Sequence, residues 1–287
     1  MSEKLSRNEL VALVERVFHP VAEDRNLAIL VDLPSQSNPD HTDWKDRRQM
    51  AADWVNLLQT DSSGLGLRAQ LYVYESVRAN NAGLPCQAWV SAGGDIPETS
   101  EDAQNLPLIA FDALLKENSI VLAPTEFSAT APLKLLAKAY GFRAATMPGF
   151  SAAMIPALRI DYSEVNRSVD VLKSLLDEAI SALLIFKVDG DEELRLTMDL
   201  RFRQAHASGG LLREAGTAGN LPSGETYIVP YEGEVPGQKS QTSGFLPVQF
   251  GSDVLIYEID ENRARTVVGE GQVAELEAER LKAEPAY

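Results

Sequence analysis

The sequence predicts an α/β fold, with a mainly parallel sheet and flanking helices in its N-terminal part and a β-rich, incomplete second domain after it. Two patterns in the 287 residues predict this arrangement. Up to about residue 160, short apolar runs alternate with segments of helical spacing, which is typical of parallel strands joined by helices. Beyond about residue 180, shorter segments alternate polar and apolar residues, as antiparallel strands do. We therefore predict an α/β domain over 1–162, followed over 163–287 by a connector helix and the β-rich domain.

The first elements follow from apolar spacing. Residues 8–18 carry apolar side chains at helical intervals. The run 26–34 is short, apolar and ended by turn residues, as a buried parallel strand is. Asp43 is placed to cap a second helix that runs to Leu58. Two more strands are predicted after it, over 69–75 and 87–91.

The alternation continues to residue 147. The segment 108–115 has helical spacing, and 119–124 has the pattern of a buried strand. Thr130 opens the next helix, which Gly141 ends as a C-cap. A further strand is predicted over 143–147.

An amphipathic helix over 163–179 marks the change between the two halves. The strands predicted after it cover 182–188, 194–205, 226–231 and 253–258. A charged helix over 272–284 is stopped by Pro285. So few strands bury little apolar surface and leave sheet edges exposed, and for this reason we expect the second domain to be incomplete.

Composition excludes several classes of protein. The formal charge of −16 argues against a nucleic-acid partner, because phosphate contacts require clustered Lys and Arg. The single cysteine, Cys86, excludes a disulfide framework and a cysteine-based zinc site. The N-terminus lacks the apolar stretch of a signal peptide, and no apolar run is long enough to cross a bilayer. We predict a cytoplasmic protein without a membrane partner.

Some polar motifs have a simple structural interpretation. The acidic stretch 189–193 lacks the periodic oxygen ligands of a calcium loop, so we interpret it as a solvated hairpin turn. The three histidines, His19, His41 and His206, form no pair with zinc-site spacing. For His206, a surface or hydrogen-bonding role is favoured over metal ligation.

Ser128 and Thr130 lie between a predicted strand and a predicted helix. Open α/β sheets bind ligands at such turns, since the amino end of a helix attracts anions. The surrounding residues do not form the nucleophile motif of a serine hydrolase. A helix cap is the favoured interpretation, and a ligand contact is the alternative.

The turn Asn220-Leu221-Pro222-Ser223-Gly224-Glu225 is the most informative stretch. Its proline and glycine restrict the backbone immediately before Glu225, which begins a predicted strand. A carboxylate held on a rigid element is a suitable metal ligand. We therefore predict Glu225 as a metal ligand.

This turn resembles the metal-ligand turn of the thermophilic aminopeptidases, peptidase family M29. The segment 143–149, Arg-Ala-Ala-Thr-Met-Pro-Gly, is similar to the family's Arg-x-x-Ser-Met-Pro-Gly, and 160–162 is similar to the stretch before its connector helix. The last residues, 284–287, resemble the lead into the family's Asn-x-Ala-Glu motif. The resemblance runs from about residue 120 to residue 287 and is weaker before that.

The resemblance implies a metallo-aminopeptidase, a hydrolase that removes N-terminal amino acids with a two-metal centre of Zn, Co or Mn. The β-rich region would then be the metal-site domain. Glu225 is the one metal ligand that carries over, while Arg143 and His206 are weaker candidates for contacts to substrate or to the ligands. The family's second Glu and its later His and Asp ligands are not matched. We therefore expect that this chain alone does not hold the metal, and that a C-terminal segment or a partner chain would complete the site. The protein partners we expect are a C-terminal chain or a second copy in a homo-oligomer.

Two other functions remain open. A related group on the same scaffold, the dihydroxypyridine dioxygenases, cleaves aromatic rings with a non-haem iron, so Fe(II) is the alternative metal. The chain is alternatively a non-catalytic subunit or binding module that kept the fold and lost the site. In every case we expect a peptide or small-molecule ligand, and no nucleic acid.

Overall fold

The structure is a computed structural model that describes residues 3–59, 64–92, 96–188 and 192–283. Its helices are α1 (Arg7–Phe18), α2 (Thr42–Leu58), α3 (Phe111–Glu117), α4 (Thr130–Tyr140), α5 (Ile155–Leu158), α6 (Tyr162–Glu178) and α7 (Gln272–Ala283). Its first seven strands are β1 (Asn26–Leu33), β2 (Arg68–Glu75), β3 (Gln87–Ser91), β4 (Leu108–Ala110), β5 (Ile120–Ala123), β6 (Arg143–Thr146) and β7 (Ser181–Val188). The remaining strands are β8 (Glu192–Asp199), β9 (His206–Ser208), β10 (Ala218–Asn220), β11 (Glu225–Tyr227), β12 (Ser243–Phe250), β13 (Asp253–Asp260) and β14 (Arg263–Val268).

A seven-stranded sheet forms the centre of the N-terminal region, in the order β10-β6-β5-β1-β2-β3-β4. The five strands from β10 to β2 are parallel, and β3 and β4 add antiparallel pairs at one edge. The longest pairing joins β1 to β2, from Asn26 opposite Arg68 to Leu33 opposite Glu75. The predicted mainly parallel sheet with flanking helices is confirmed.

Both faces of the central part of this sheet are buried, which explains why β1 and β5 are almost entirely apolar. On one face, Ile29 of β1 belongs to a core with Leu13 of α1 and Trp54 of α2. On the other face, Leu30 belongs to a second core with Leu133 of α4. Because neighbouring side chains of a strand point to opposite faces, a continuous apolar run supplies both cores at once.

The C-terminal region contains a five-stranded antiparallel sheet in the order β14-β13-β12-β8-β7. The β7–β8 pair runs from Ser181 opposite Asp199 to Val188 opposite Glu192, which confirms the predicted pairing of these two strands. The residues of its predicted turn, 189–191, lie outside the described ranges. Leu255 of β13 is fully buried. Its side chain and the Cβ of Ala274 in α7 both lie within 4 Å of the point where a Cβ of Gly269 would be. The β-rich character of this half is also confirmed.

The chain divides into two compact units. One contains residues 1–168 and 208–225, and the other contains 169–207 and 226–287. The division falls within α6 and again within β9 and β11, which pair as a two-stranded sheet. The segment 208–225, which includes β10, thus belongs to the unit of the parallel sheet. The boundary predicted between residues 162 and 163 stays a prediction.

Four local predictions are wrong. The strand predicted over 226–231 spans only Glu225–Tyr227, so residues 228–231 lie outside it. Leu108–Ala110 is a strand rather than the start of a helix, because it pairs with β3, and helix α3 begins only at Phe111. His41 occupies the N-cap position of α2, so Asp43 lies in the first turn instead. The long strand predicted over 194–205 ends at Asp199, where the side chain accepts hydrogen bonds from Arg201 and Gln241.

Across the described ranges, every helix is too short or too polar to span a lipid bilayer. The residues at the predicted helix stop, 284–287, lie outside those ranges.

Candidate functional site

The Asn220–Glu225 turn leaves the parallel sheet at its carboxyl edge. β10 pairs in parallel with β6, and Asn220 lies opposite Thr146, the last residue of that strand. The Leu221 N–H donates to the Thr146 carbonyl oxygen at 2.9 Å, which extends the pairing by one step. Ligand sites of open α/β sheets lie beyond this edge. The turn predicted from sequence is therefore at the edge where a site is expected.

The Asn220 side chain fixes the start of the turn. Its Oδ1 accepts hydrogen bonds from Thr130 Oγ at 2.9 Å and from Thr146 Oγ at 2.8 Å. Thr130 is the first residue of α4, so the strand-to-helix turn identified in the sequence meets the Asn220 turn here. The N-cap position of α4 is occupied by Ala129, while Ser128 Oγ accepts from the Thr130 N–H at 3.3 Å.

The end of the turn is held on its other side. The Ser223 hydroxyl lies 2.7 Å from the carbonyl oxygen of Ser208, to which it donates. Gly224 has a φ of +153°, and a Cβ at this position would lie 3.2 Å from Cγ1 of Val165. A side chain here would therefore strain the backbone directly before Glu225. The carboxylate of Glu225 is thus presented from a backbone that is held at both ends.

Glu225 is exposed and borders a depression of about 300 Å³ that is lined by Asn220 and residues 222–225. Divalent metals in proteins take four or more ligands, of which a bound water is often one. Within the described ranges, no group of three or more His, Cys, Asp or Glu side chains is arranged to hold a metal ion. One carboxylate therefore does not form a metal site with the residues described, and the role of Glu225 as a ligand stays a prediction.

Arg143 lies at the opposite edge of the sheet. It begins β6, whereas Thr146 ends it, so the two Cα atoms are separated by roughly 10 Å along the strand. Its guanidinium is buried and donates to the Phe18 carbonyl oxygen and to the Asp24 carboxylate, both at 2.5 Å. The structure does not bring Arg143 to Glu225. The side chain of Arg143 instead forms a buried ion pair with Asp24.

His206 begins β9 and is exposed. Its ring stacks on the Tyr227 ring, with centroids 5.1 Å apart and planes 28° from parallel. This contact agrees with the favoured surface role, although the suggested contact of His206 with a substrate or a ligand stays a prediction.

A second polar group at the carboxyl edge was not identified from the sequence. Asp32, near the end of β1, is 1% exposed. Its carboxylate accepts from the N–H of Glu126 at 2.7 Å, the N–H of Phe127 at 3.3 Å and Trp44 Nε1 at 3.2 Å. Burial raises the pKa of Asp32 to about 6, although these hydrogen bonds act to lower it.

Glu126 connects Asp32 to the surface. Its carboxylate is paired with Arg47, and the other oxygen lies 3.2 Å from Nε2 of His41. Arg47 is buried and also donates to the Phe150 carbonyl oxygen at 2.7 Å. The group lies beyond the carboxyl ends of the neighbouring strands β1 and β5. From these two strands the sheet continues in opposite directions, to β2 on one side and to β6 on the other, and ligand sites are common at such a point.

A signal for this second group was present in the sequence. Asp32 is the only charged residue in the apolar run 26–33. A carboxylate in a strand buried on both faces needs donors from elsewhere in the chain. Two of its hydrogen-bond donors, Glu126 and Phe127, belong to a turn that is distant in sequence. The buried acid could therefore be identified from the sequence, whereas the groups that surround it could not.

Comparison with known proteins gives a fold relationship. No family model and no curated protein matches the chain. Among solved structures, the chain is similar to 2,5-dihydroxypyridine dioxygenase from Pseudomonas putida KT2440, with a TM-score of 0.56 and 15% sequence identity, over 97% of this chain and 72% of that chain. A second similar structure is wild-type AmpT from Thermus thermophilus, with a TM-score of 0.46 and 15% identity, over 96% of this chain and 73% of that chain.

At 15% identity, the likeness to the dioxygenase shows a shared fold and leaves the function open. At a TM-score of 0.46, the similarity to AmpT does not establish a shared fold. The resemblance to peptidase family M29 therefore still depends on the residues that carry it in the sequence.

Proposed function

We propose that the chain belongs to a metallo-aminopeptidase of the M29 type and supplies Glu225 as one carboxylate ligand of its divalent-metal site. The observation that carries the proposal is the Asn220–Glu225 turn. It is fixed at the carboxyl edge of a parallel sheet and presents an exposed carboxylate at the border of a depression. The other ligands would come from outside the described ranges or from another chain.

A metal ligand needs a rigid backbone, and the Asn220–Glu225 turn provides one. Asn220 and Ser223 hold the turn by hydrogen bonds, so the backbone that leads into Glu225 is fixed without a bound ion. Because a single carboxylate binds divalent ions weakly, we expect no aminopeptidase turnover from this chain alone with Zn²⁺, Co²⁺ or Mn²⁺.

Paramagnetic broadening by Mn²⁺ tests the ligand directly, since it reports weak binding without turnover. We expect Mn²⁺ to broaden the amide signals of 223–225 in the native chain, and Glu225→Gln to weaken the effect roughly tenfold. Glu232→Gln, a change of another exposed glutamate, is the matched control and should leave the broadening intact. Equal broadening in both variants would remove Glu225 from the proposal.

Turnover measurements address the reaction class. Hydrolysis of aminoacyl p-nitroanilides should appear only when a second protein or segment supplies the remaining ligands. Strong hydrolysis by this chain alone would contradict the incomplete ligand set.

A second candidate is ring cleavage of a dihydroxypyridine by a non-haem iron. The fold shared with 2,5-dihydroxypyridine dioxygenase is the observation in its favour. Oxygen consumption in the presence of Fe(II) and 2,5-dihydroxypyridine would support this candidate over hydrolysis. A chain that is inactive in both assays after reconstitution would favour a non-catalytic subunit.

A further inference from the structure

A groove of about 760 Å³ runs along helix α2 in the unit of the parallel sheet. It is also lined by the segment Glu3–Leu5 and by residues 151–153. Small-molecule sites in proteins commonly measure about 300–1,000 Å³. The groove thus has the size of a ligand site, and none of its lining residues belongs to the Glu225 turn.

The floor of the groove is apolar. Leu5 and Trp54 are 5% and 1% exposed, and Met50 and Leu57 are partly exposed beside them. Met50, Trp54 and Leu57 lie on one face of α2, as their spacing of four and three residues requires. Trp54 is fixed by edge-on packing against Phe150, with ring centroids 5.9 Å apart. The groove therefore offers a preformed apolar surface to the apolar part of a ligand.

The positive charges at the groove are neutralised by carboxylates. Lys4 pairs with Asp53 at 2.9 Å. Arg47 pairs with Glu126 and donates to the Phe150 carbonyl oxygen. Neither basic group is left free to attract an anion.

Two carboxylates at the same groove remain free. No ion pair or hydrogen bond joins the side chain of Asp43 or Asp46 to another residue in the described ranges. Both residues are exposed on the first turns of α2. They give this end of the groove an uncompensated negative charge, next to the apolar floor.

We propose that this groove binds an organic monocation with an apolar tail, such as a primary alkylamine or arylalkylamine. The ammonium group donates charge-assisted hydrogen bonds to Asp43 and Asp46, and the tail lies over Met50 and Leu57. A bare metal ion is not the ligand, because no metal-binding group of three side chains occurs in the described part of the chain.

The test compares ligands that share a tail and differ in their head group: octylammonium, octanoate and octanol, all below their aggregation concentrations. Calorimetry should give an affinity for octylammonium at least about tenfold higher than for octanoate. Each added methylene should tighten binding of the amine by about three- to fourfold.

Methyl NMR locates the bound tail. With ¹³C-methyl methionine, the signal of Met50 should shift on addition of octylammonium. The signal of Met198 in β8 serves as the internal control and should not shift. Binding without a shift at Met50 would overturn the assignment of the groove.

Variants test the charge and the space separately. Asp46→Asn should weaken octylammonium binding by about three- to tenfold and leave octanol unchanged. Glu279→Gln is the matched loss of an exposed carboxylate elsewhere and should have no effect. Asp46 is preferred to Asp43, since an acid in the first turn also stabilises the helix.

Ala153→Trp fills the groove from an exposed position and should abolish binding with an unchanged unfolding temperature. The proposal is overturned if octylammonium and octanoate bind equally, or if Glu279→Gln weakens binding as much as Asp46→Asn. It is also overturned if the folded Ala153→Trp variant binds octylammonium as the native chain does.

Discussion

The carboxylates at the two edges of the parallel sheet have different partners. At the amino edge, Arg143 and Asp24 are both buried and pair with each other at 2.5 Å. At the carboxyl edge, Asp32 is at least as deeply buried but receives hydrogen bonds from uncharged N–H groups, and Glu225 is exposed. The carboxylate of Asp24 is neutralised by an arginine, whereas Asp32 and Glu225 form no ion pair with the described residues. The buried ion pair at the amino edge therefore stabilises the fold, and the exposed carboxylate at the carboxyl edge is the one we propose as a ligand of a metal.

The largest effect expected from this comparison is at the amino edge. Arg143→Ala leaves Asp24 buried without its partner, so we expect a loss of about 3–5 kcal/mol in the free energy of unfolding. Urea-induced unfolding measures this loss. The double variant Arg143→Met with Asp24→Asn removes both charges and should lose clearly less. Equal losses would show that the ion pair does not set the stability of this edge.

The next effect is the pH dependence that Asp32 creates at the carboxyl edge. Its pKa is about 6 in the folded protein and 3.8 ordinarily, so the folded state binds the proton more tightly than the unfolded chain. The stabilising effect of this proton is fully present below pH 3.8 and is lost as the pH rises to about 6. The loss amounts to roughly 3 kcal/mol and stays constant at higher pH.

Asp32→Asn removes this dependence. Relative to the native chain, we expect the variant to gain roughly 2.5 kcal/mol in unfolding free energy between pH 4 and pH 7, in addition to any constant offset from altered hydrogen bonds. Urea titrations at several pH values measure the difference, and Glu279→Gln should run parallel to the native protein. A difference that does not change with pH would mean that Asp32 is ionised in the fold as easily as in the unfolded chain.

A smaller effect is expected at the turn that carries Glu225. Gly224→Ala places a Cβ 3.2 Å from Val165 at a φ of +153°, which should cost about 1–3 kcal/mol. Gly83→Ala is the matched change, because its Cβ meets nothing within 4 Å and its φ is outside the left-handed region. If both variants unfold alike in thermal scans, the turn is less firmly fixed than its contacts indicate.

The smallest effect on stability is expected for Glu225→Gln. An exposed side chain without a described partner should change the unfolding free energy by less than about 0.5 kcal/mol. Its effect should be confined to Mn²⁺ broadening, which is the reverse of the expectation for Arg143→Ala. A marked loss of stability would place Glu225 with the structural charges of the amino edge.

Local pattern was sufficient to predict most of the parallel sheet, because strands such as β1 are mainly apolar and are followed by helices with clear apolar faces. It was insufficient for β10, which has three residues, Ala218–Asn220, and no apolar run. Its pairing with β6 depends on backbone hydrogen bonds and on the Thr130 and Thr146 hydroxyls, which are distant in sequence.

The site was predictable to the same extent. The turn chemistry of Pro222 and Gly224 identified Glu225 as a carboxylate with a fixed backbone. Arg143 could not be separated from that site before the fold was known, because a strand of four residues places its two ends on opposite edges of a sheet. The Asp32 environment combines β1, α2 and the turn before α4, so its raised pKa follows only from the assembled fold.

The position of β10 also has a consequence for the order of events during synthesis. The ribosome releases β7 and β8 before the segment 208–225, yet that segment completes the edge of the parallel sheet next to β6. Until then, a nascent chain lacks Leu212 and Leu221, which are buried in the core beside α1 and α2. The Glu225 turn is thus the last segment of its unit to be synthesised. A chain halted before residue 208 would present an unfinished sheet edge to chaperones.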